Sequence, residues 1–478
     1  MRAAWFTLGL MIVILSGCAL PGGKERGEHA DEFRDHVKEE TVAFLTAHPG
    51  PLTLSNALVI ARNRTLKLTS AKLAATLAEL TQGMAFSVFL PKVNVSYGRF
   101  GTEEPLETSL LGRQIRLSDQ YVSQVSLLAT QPIFTPQAWL LYAEARHLNR
   151  QSAIQLDRAK EMLDAQVAAL FYQAAVADER IRMVEAQVAA STALADQLKA
   201  QNRHGFVLEA DLARIEARVA MDRFELTRAK DSRNLIRIRL CEILRLWPDS
   251  QLELNCDSMK EVLERPWAFR DEKGEIVPMD AVAARMLTLE ELMFQTLLCR
   301  KELWAADQLF AFSKVAVYQA LAGFLPNVYG GLAGTKNPHA SLLTGTMWGG
   351  GIAGVLSVFD GFATVQSYRM ACAARRVASK LREDRALALL SGTYEAFQNW
   401  QRSAEQKAVA EQLLKACELD YEAAKARLDK DQETVSQVLD KLSALEQARA
   451  NAVSAIYATA LTEIILRDAV GIGLMELD

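Results

Sequence analysis

The chain has 478 residues, of which 50% are hydrophobic and 23% are charged. Its formal net charge of −4 is small for this length and argues against nucleic acid as a partner. The sequence shows no Ser/His/Asp or Cys/His arrangement and no phosphate-binding loop, so it gives no support to an enzyme or to a bound cofactor.

The first residues are typical of a secretory signal. Arg2 precedes an apolar run that ends at Leu15 and is too short for a membrane-spanning helix, and Leu15-Ser16-Gly17-Cys18 follows. These four residues resemble the lipobox of bacterial lipoproteins, whose cysteine is acylated, for example with palmitate, after cleavage. We therefore expect a signal peptide over 1–17, a lipidated Cys18 and a charged tether over 18–52. An uncleaved anchor with an incidental cysteine is the alternative.

Five further cysteines follow Cys18 without any Cys-x-x-Cys spacing. Buried thiols are favoured over a disulfide framework, but Cys241 and Cys256 are near enough in sequence to close a short loop in an oxidising compartment. The sequence does not decide between these two states.

A first structural unit is predicted over 53–247. It begins with an amphipathic helix from Leu54 to about Ala85, followed by alternating strands over about 91–101 and 117–130. Two long helices, 135–204 and 207–246, then meet at Gly205. Leucine, alanine, valine and serine recur every seven residues from Leu156 to Leu198, which predicts supercoiling against neighbouring helices.

The same plan repeats over 280–478 after a linker over 248–279. We expect a helix, strands over about 326–336 and 346–359, and long helices over 361–428 and 432–470. Leu90-Pro91 is matched by Leu325-Pro326, and Phe134 is matched by Phe359. The chain is therefore an internal duplication of one strand-pair-and-hairpin unit.

The four longer predicted strands have the length needed to cross a bilayer. Four strands cannot close a barrel, and open sheet edges are not tolerated in lipid. Several copies must then share one barrel; two copies would give eight strands and three would give twelve. The periodicity alone does not choose between them.

From Thr53 onward the chain resembles the outer membrane factors of the TolC and OprM type. The resemblance is carried by Leu-Thr-Leu-x-x-Ala-Leu at 52–58, the two Leu-Pro turns, and Trp348 followed by Val358-Phe359-Asp360-Gly361. It implies a mainly α fold with a membrane β-barrel, in which a trimeric twelve-stranded barrel stands on a periplasmic α-helical barrel.

The resemblance also implies a function. Such proteins are passive exit ducts of tripartite efflux pumps or type I secretion systems in the outer membrane, and they extend into the periplasm. The implied partners are two further copies of the chain, outer membrane lipid, a periplasmic membrane-fusion adaptor and an inner-membrane transporter. Whether the cargo is a drug, a metal or a polypeptide stays open.

The family's adaptor-binding tips place an arginine before a glycine and an aspartate after it. By this resemblance the first tip is assigned to Arg203, Gly205, Phe206 and Val207. The second is assigned to Arg427 and to Asp431, which stands where a glycine is expected.

Acidic rings near the periplasmic end of the tunnel favour cations in this family. The candidates for such a gate are Asp420, Asp429 and Asp431. The alternative is that they are solvated charges beside Lys425, Arg427 and Lys430.

The sequence also admits two alternatives, one for a metal path and one for the function. Met279, Met286 and Met293 are seven residues apart and could form a soft-metal path, but methionines at helical spacing are usually core filler, and no metal site is predicted. The competing function is a pore-less, lipid-anchored periplasmic coiled-coil adaptor or structural protein. An adaptor has one hairpin, whereas this sequence duplicates the strand-and-hairpin unit.

Overall fold

The computed structural model describes residues 23–101, 103–104, 106–110, 113–118, 120–203, 208–255, 264–270, 275–337, 345–428 and 434–474. In the first half of the chain the helices and strands are α1 (Gly23–Ala47), β1 (Leu52–Thr53), α2 (Leu54–Arg64), α3 (Leu66–Ser87), β2 (Lys92–Gly101), β3 (Leu106–Leu110), β4 (Arg113–Ser118), β5 (Tyr121–Phe134), α4 (Pro136–Arg203) and α5 (Glu209–Leu244).

The second half repeats this order after three short strands. Its elements are β6 (Leu254–Asn255), β7 (Trp267–Arg270), β8 (Ile276–Met279), α6 (Ala281–Ala284), α7 (Leu289–Cys299), α8 (Lys301–Ala322), β9 (Asn327–Asn337), β10 (Gly345–Val355), α9 (Ala363–Leu428) and α10 (Val435–Val470). The bounds of the four long helices lie within three residues of the ranges expected from the sequence. None of the helices in the described ranges is long and apolar enough to cross a membrane.

The four long strands form one antiparallel sheet in the order β10-β9-β5-β2. The helices follow the same order, because α9 packs on α8, α8 on α4, and α4 on α3. Two strand predictions need correction. The strand expected over 117–130 is divided between β4 and β5, and the one expected over 346–359 ends at Val355, whose partner Asn327 is the first residue of β9.

The helix predicted from Leu54 to Ala85 is interrupted at Thr65, and the helix predicted at the start of the second repeat is interrupted between α6 and α7 and again at Arg300. Both residues are extended, with ψ of 126° and 117°. The interruptions place side chains against the C-terminal carbonyls of the long helices. Thr65 Oγ1 donates to the carbonyl of Ile243 at 2.8 Å, and the Arg300 guanidinium donates to the carbonyl of Asp468. The breaks therefore satisfy backbone groups that a helix end leaves open.

The segment predicted as a charged tether contains a helix, α1. Its charged residues are exposed, but Val37, Thr41 and Phe44 are buried at helical spacing. Thr41 Oγ1 accepts a hydrogen bond from the backbone N–H of Trp247 at 2.8 Å, and the ammonium of Lys38 lies 5.0 Å from the ring of Trp247. The sequence did not reveal this helix, because its buried residues pack near Trp247, about 200 residues away.

Each repeat has its own hydrophobic cluster where the shorter helices pack on the long ones. The first is centred on Phe171 and Leu240, and the second on Phe397 and Trp267. The predicted seven-residue series in α4 is buried from Leu163 to Leu198. Burying each such leucine contributes roughly 1.5–3 kcal/mol to the free energy of folding. We call this buried series the apolar seam; it holds α4 against its neighbours.

Candidate functional site: the sheet wall and the helical hairpins

The four-stranded sheet has two chemically different faces. In its register, one row across the sheet contains Val95, Leu127, Gly334 and Trp348, and the next contains Ser96, Ser126, Thr335 and Met347. Successive strand residues point to opposite faces, so these rows alternate. We call the first the apolar face, formed mainly by Val93, Val95, Tyr97, Val125, Leu127, Ala129, Leu332, Trp348 and Ile352; its rows also contain Gln131, Lys336 and Thr346. The second is the polar face, formed mainly by Asn94, Ser96, Gly98, Gln124, Ser126, Leu128, Ala333, Thr335, Met347, Gly349 and Gly351; its rows also contain Pro132, Tyr329 and Ala353.

On the apolar face of β9 and β10, each large apolar side chain lies opposite a glycine. The pairs are Trp348 with Gly334, Leu332 with Gly350, and Ile352 with Gly330. A Cβ added at Gly334 would lie 2.6 Å from Cζ3 of Trp348. These glycines leave room for the side chains across the strand pair, so the face stays smooth while remaining apolar.

Most of the apolar face has no partner in a single chain. The side chains of Val95, Tyr97, Trp348 and Ile352 are 61–75% exposed. Within the described ranges, the outer edges of β2 and β10 also pair with no other strand. A sheet with one apolar face and one small, mostly polar face is suited to separate hydrocarbon from water.

Below the sheet, the two helical hairpins are joined by a buried ionic cluster. The Asp222 side chain on α5 is 3% exposed and lies 3.0 Å from Nε of Arg218. The Arg218 guanidinium also contacts Glu446 of α10 and donates to Ser443 Oγ at 3.2 Å. Gln187 of α4 donates to Asp222 at 2.5 Å. The cluster therefore connects both hairpins within a few turns of the tips.

In this cluster the guanidinium of Arg218 forms ion pairs with two carboxylates, those of Asp222 and Glu446. Burial raises the pKa of Glu446 to about 7, against the opposing effect of Arg218 and with a further increase from Asp222. These residues were not predicted from the sequence. The i, i+4 spacing of Arg218 and Asp222 was visible, but such pairs are common on exposed helix surfaces, and Glu446 lies more than 220 residues away.

A second buried carboxylate lies where the sheet meets the helices. Glu144 on α4 is 7% exposed, and burial raises its pKa to about 7. In the amide orientation that satisfies hydrogen bonding, Gln319 of α8 donates to Glu144 Oε1 at 2.7 Å. One turn further, Nδ1 of His147 lies 3.0 Å from Oε1 of Gln308. Polar pairs of this kind fix α4 against α8.

The hairpin-tip residues are only partly within the described ranges. Arg203 is the last residue of α4, and Arg427 precedes the last residue of α9. Gly205, Phe206 and Val207 lie outside the described residues, as do Asp429, Asp431 and the lipidation candidate Cys18. The assignment of the tips to adaptor binding stays a prediction.

Of the three gate candidates, Asp420 is in the described part. Its side chain is 65% exposed, and it accepts from the ammonium of Lys441 on α10 at 3.0 Å. This contact holds α9 against α10 and partly neutralises the carboxylate. The three acids are therefore not shown to be together in one chain.

The structure bears on the spacing of the three methionines and on the state of Cys241. Met286 is 82% exposed, so the interpretation of all three methionines as core filler is wrong for this residue. Met286 is exposed because it lies in a turn between α6 and α7, where the expected continuous helix is interrupted.

Cys241 is a buried free thiol, and Cys256 lies outside the described residues.

Solved structures of other proteins have the same fold. The crystal structure of CusC matches with a TM-score of 0.72 at 14% identity, covering 88% of this chain and 92% of that one. VceC from Vibrio cholerae matches with 0.70 at 16% identity, covering 88% and 97%. The CmeC outer membrane channel of Campylobacter jejuni matches with 0.69 at 15% identity, covering 88% and 87%. At these identities the likeness shows the fold.

A comparison of the sequence with protein-family models also relates the chain to outer membrane channels. Residues 294–472 match the family model of the outer membrane efflux proteins. No curated protein gives a significant match. The resemblance to the outer membrane factors predicted from the sequence is therefore confirmed, in fold over most of the chain and in sequence over the second repeat.

Proposed function

We propose that three copies of this chain form a passive exit duct in the outer membrane. The observation that carries the proposal is the four-stranded sheet, with an apolar face, a small polar face and two open edges. Three such sheets would close a twelve-stranded barrel with the apolar faces in lipid and the polar faces around the lumen. The twelve long helices would continue the duct into the periplasm.

In this proposal the chain conducts and does not drive transport. An inner-membrane transporter would supply the energy, and a periplasmic adaptor would bind the hairpin tips near Arg203–Val207 and Arg427–Asp431. Acylation of Cys18 would add a lipid anchor to the barrel. The same duct would serve a tripartite efflux pump or a type I secretion system.

The gate would lie where the hairpins converge. Asp420, Asp429 and Asp431, each repeated three times around the axis, would favour cations there. The Arg218 cluster supports this placement, because it ties the hairpin of the first repeat to that of the second close to the tips.

Planar-bilayer recording of the purified chain tests the proposal. We expect discrete, cation-preferring conductance steps and recovery of the protein in outer membrane fractions. If the delipidated protein is soluble and gives no channels, the duct is excluded and the pore-less periplasmic protein is favoured.

A further inference from the structure

The Arg218 cluster contains one cationic side chain and two acidic ones. Nε of Arg218 lies 3.0 Å from Oδ1 of Asp222, and Nη2 of the same guanidinium contacts Oε2 of Glu446. Both nitrogens belong to one rigid, planar group, so the two carboxylates lie side by side along it. If both acids are ionised, the cluster carries one net negative charge.

This excess charge lies in a buried place. Asp222 is 2% exposed, and the side chain of Glu446 is 13% exposed. A buried charge is strongly unfavourable unless it is compensated, and two carboxylates that share one site resist ionising together. The cluster is therefore more stable if it gains a positive charge.

The two carboxylates also have acceptor atoms that are not used. Among the described residues, none donates a hydrogen bond to Oδ2 of Asp222 or to Oε1 of Glu446, and both atoms are buried. The other oxygen of each acid has a donor, Gln187 for Asp222 and Arg218 for Glu446. Buried polar atoms are nearly always hydrogen-bonded, so the two unused oxygens indicate a missing donor.

The neighbouring charged residues do not supply the missing charge. In the described part of the chain, the other charged side chains that line the same groove are Arg180 of α4, Glu225 of α5 and Arg449 of α10. Arg180 lies 3.5 Å from Glu225, and Arg449 lies 3.5 Å from Glu418 of α9. These cations are thus already paired with other acids.

From this arrangement we infer that Asp222 and Glu446 share one proton. Glu446 takes the proton from solvent on Oε1 and donates the resulting O–H to Oδ2 of Asp222. Asp222 stays ionised beside the guanidinium of Arg218, so the charges of the cluster balance. A single proton therefore removes the excess charge and satisfies both unused oxygens.

The titration of Glu446 agrees with this assignment. Burial raises the pKa of Glu446 to about 7, Arg218 opposes the increase, and Asp222 adds to it. Arg449 also lowers this pKa, but its effect is the weakest of these. Because the two acids interact closely, they titrate as a pair, and the proton belongs to the pair.

The shared proton would join helices of the two repeats. Asp222 lies on α5 and Glu446 on α10, and Gln187 of α4 holds Asp222 from the first hairpin. When the proton leaves, two buried negative charges face each other across this contact. The inference goes beyond the proposed function, because the contact joins the hairpins whether or not the chain conducts.

The direction of the pH effect follows from linkage. The ordinary pKa of Glu446 is 4.5, and the packed helices raise it to about 7. The packed state therefore binds the proton more tightly than a state in which α5 and α10 have separated. Separation should become easier as the pH rises from about 5 to about 8.

Hydrogen exchange of the full-length protein in detergent tests the inference. Exchange is measured at about pH 5 and about pH 8 and corrected for the intrinsic effect of pH on amide exchange. The E144Q background is used, because Glu144 titrates in the same range. Peptides around Asp222 and Glu446 should exchange about tenfold faster or more at the higher pH, since each unit of pKa shift corresponds to a factor of ten.

Two substitutions should change this pH step in different ways. E446Q places a permanent amide donor where the shared proton lies, so exchange should stay slow at both pH values. D222N removes the second negative charge, so the midpoint of the step should move to lower pH. The matched control is E418Q, which alters an exposed acid on α9 and should keep the original step.

Several results would overturn the inference. A protein without the pH step, or a step that persists in E446Q, would show that this pair does not hold the proton. An unchanged midpoint in D222N would show that the two acids are not coupled. A step that follows the sodium concentration at constant pH would assign the missing charge to a metal cation. Each of these results leaves the proposed duct to be decided by bilayer recording.

Discussion

Glu144 shows how a single buried acid can make the structure sensitive to pH. Its ordinary pKa is near 4.5, and burial raises the folded-state pKa to about 7. The folded chain therefore binds a proton more tightly than the unfolded chain between these values. Stability should fall as pH rises from about 5 to about 8, because the ionised form is disfavoured in the fold.

The substitution E144Q should remove this pH dependence. We expect the difference in the free energy of unfolding between low and high pH to shrink by on the order of 1 kcal/mol, after allowance for solvent screening. Thermal unfolding in detergent at both pH values measures it. E79Q, which changes an exposed carboxylate on α3, is the control and should leave the pH dependence of the unfolding free energy as in the wild type. If E144Q and E79Q show the same pH dependence, Glu144 is not the group responsible.

Gly334 is the residue at which a side chain should be least tolerated in the sheet. Its Cβ position lies against the Trp348 ring, so G334V should overpack the pair and lower stability by roughly 1–3 kcal/mol. G349V is the matched control, because nothing lies within 4 Å of a Cβ at Gly349, and its effect should stay within about 0.5 kcal/mol. Similar unfolding midpoints for the two variants would rule out the large-for-glycine pairing.

At the scale of elements, the Arg218 cluster should hold the two hairpins together. R218A would leave Asp222 buried without its cation, which costs about 3–5 kcal/mol. Hydrogen exchange in peptides of α5 and α10 should then accelerate strongly. R228A is the control: Arg228 contacts Glu225 on the same exposed helix surface, where such pairs contribute about 0–1 kcal/mol. No change in exchange near Arg218 would mean that the apolar seam alone holds the hairpins.

The long helices and strands could be predicted because their periodicity extends over many residues. The seven-residue series through Leu170 and Val184 reports burial directly, and the alternating residues of β2 report the two faces of the sheet. The interruptions at Thr65 and Arg300 could not be predicted, because each depends on a carbonyl from a distant helix. Helix α1 was missed for a similar reason: its partner Trp247 is about 200 residues away.

Some parts of the candidate site could be predicted from the sequence, and other parts could not. The faces of the sheet follow from local alternation, so the sequence contained them. The Arg218–Glu446 contact joins two repeats and has no local signal. The tips and two of the gate acids rest on the family resemblance, and the structure describes only Arg203, Arg427 and Asp420 among the residues assigned to them.

At the scale of the whole molecule, the gate assignment predicts an effect on conductance. Replacing Asp420, Asp429 and Asp431 by Asn removes nine negative charges from three copies, so the preference for cations should fall. The conductance at low salt should also fall, since less counter-ion is concentrated at the constriction. Single-channel recording over a salt gradient measures both. The control replaces the exposed Asp249 by Asn, away from the tips; unchanged selectivity in the triple variant would exclude these acids from the gate.

If three copies form the proposed duct, the two open edges of the sheet constrain the order in which the copies assemble and enter the membrane. A lone copy would expose the unpaired backbone groups of β2 and β10, and each such group costs several kcal/mol in hydrocarbon. In the proposed duct, entry into the bilayer must then coincide with the closing of the ring. The rate at which channels appear should rise more steeply than linearly with chain concentration, and a dilute chain should be lost to aggregation or proteolysis before it meets its partners.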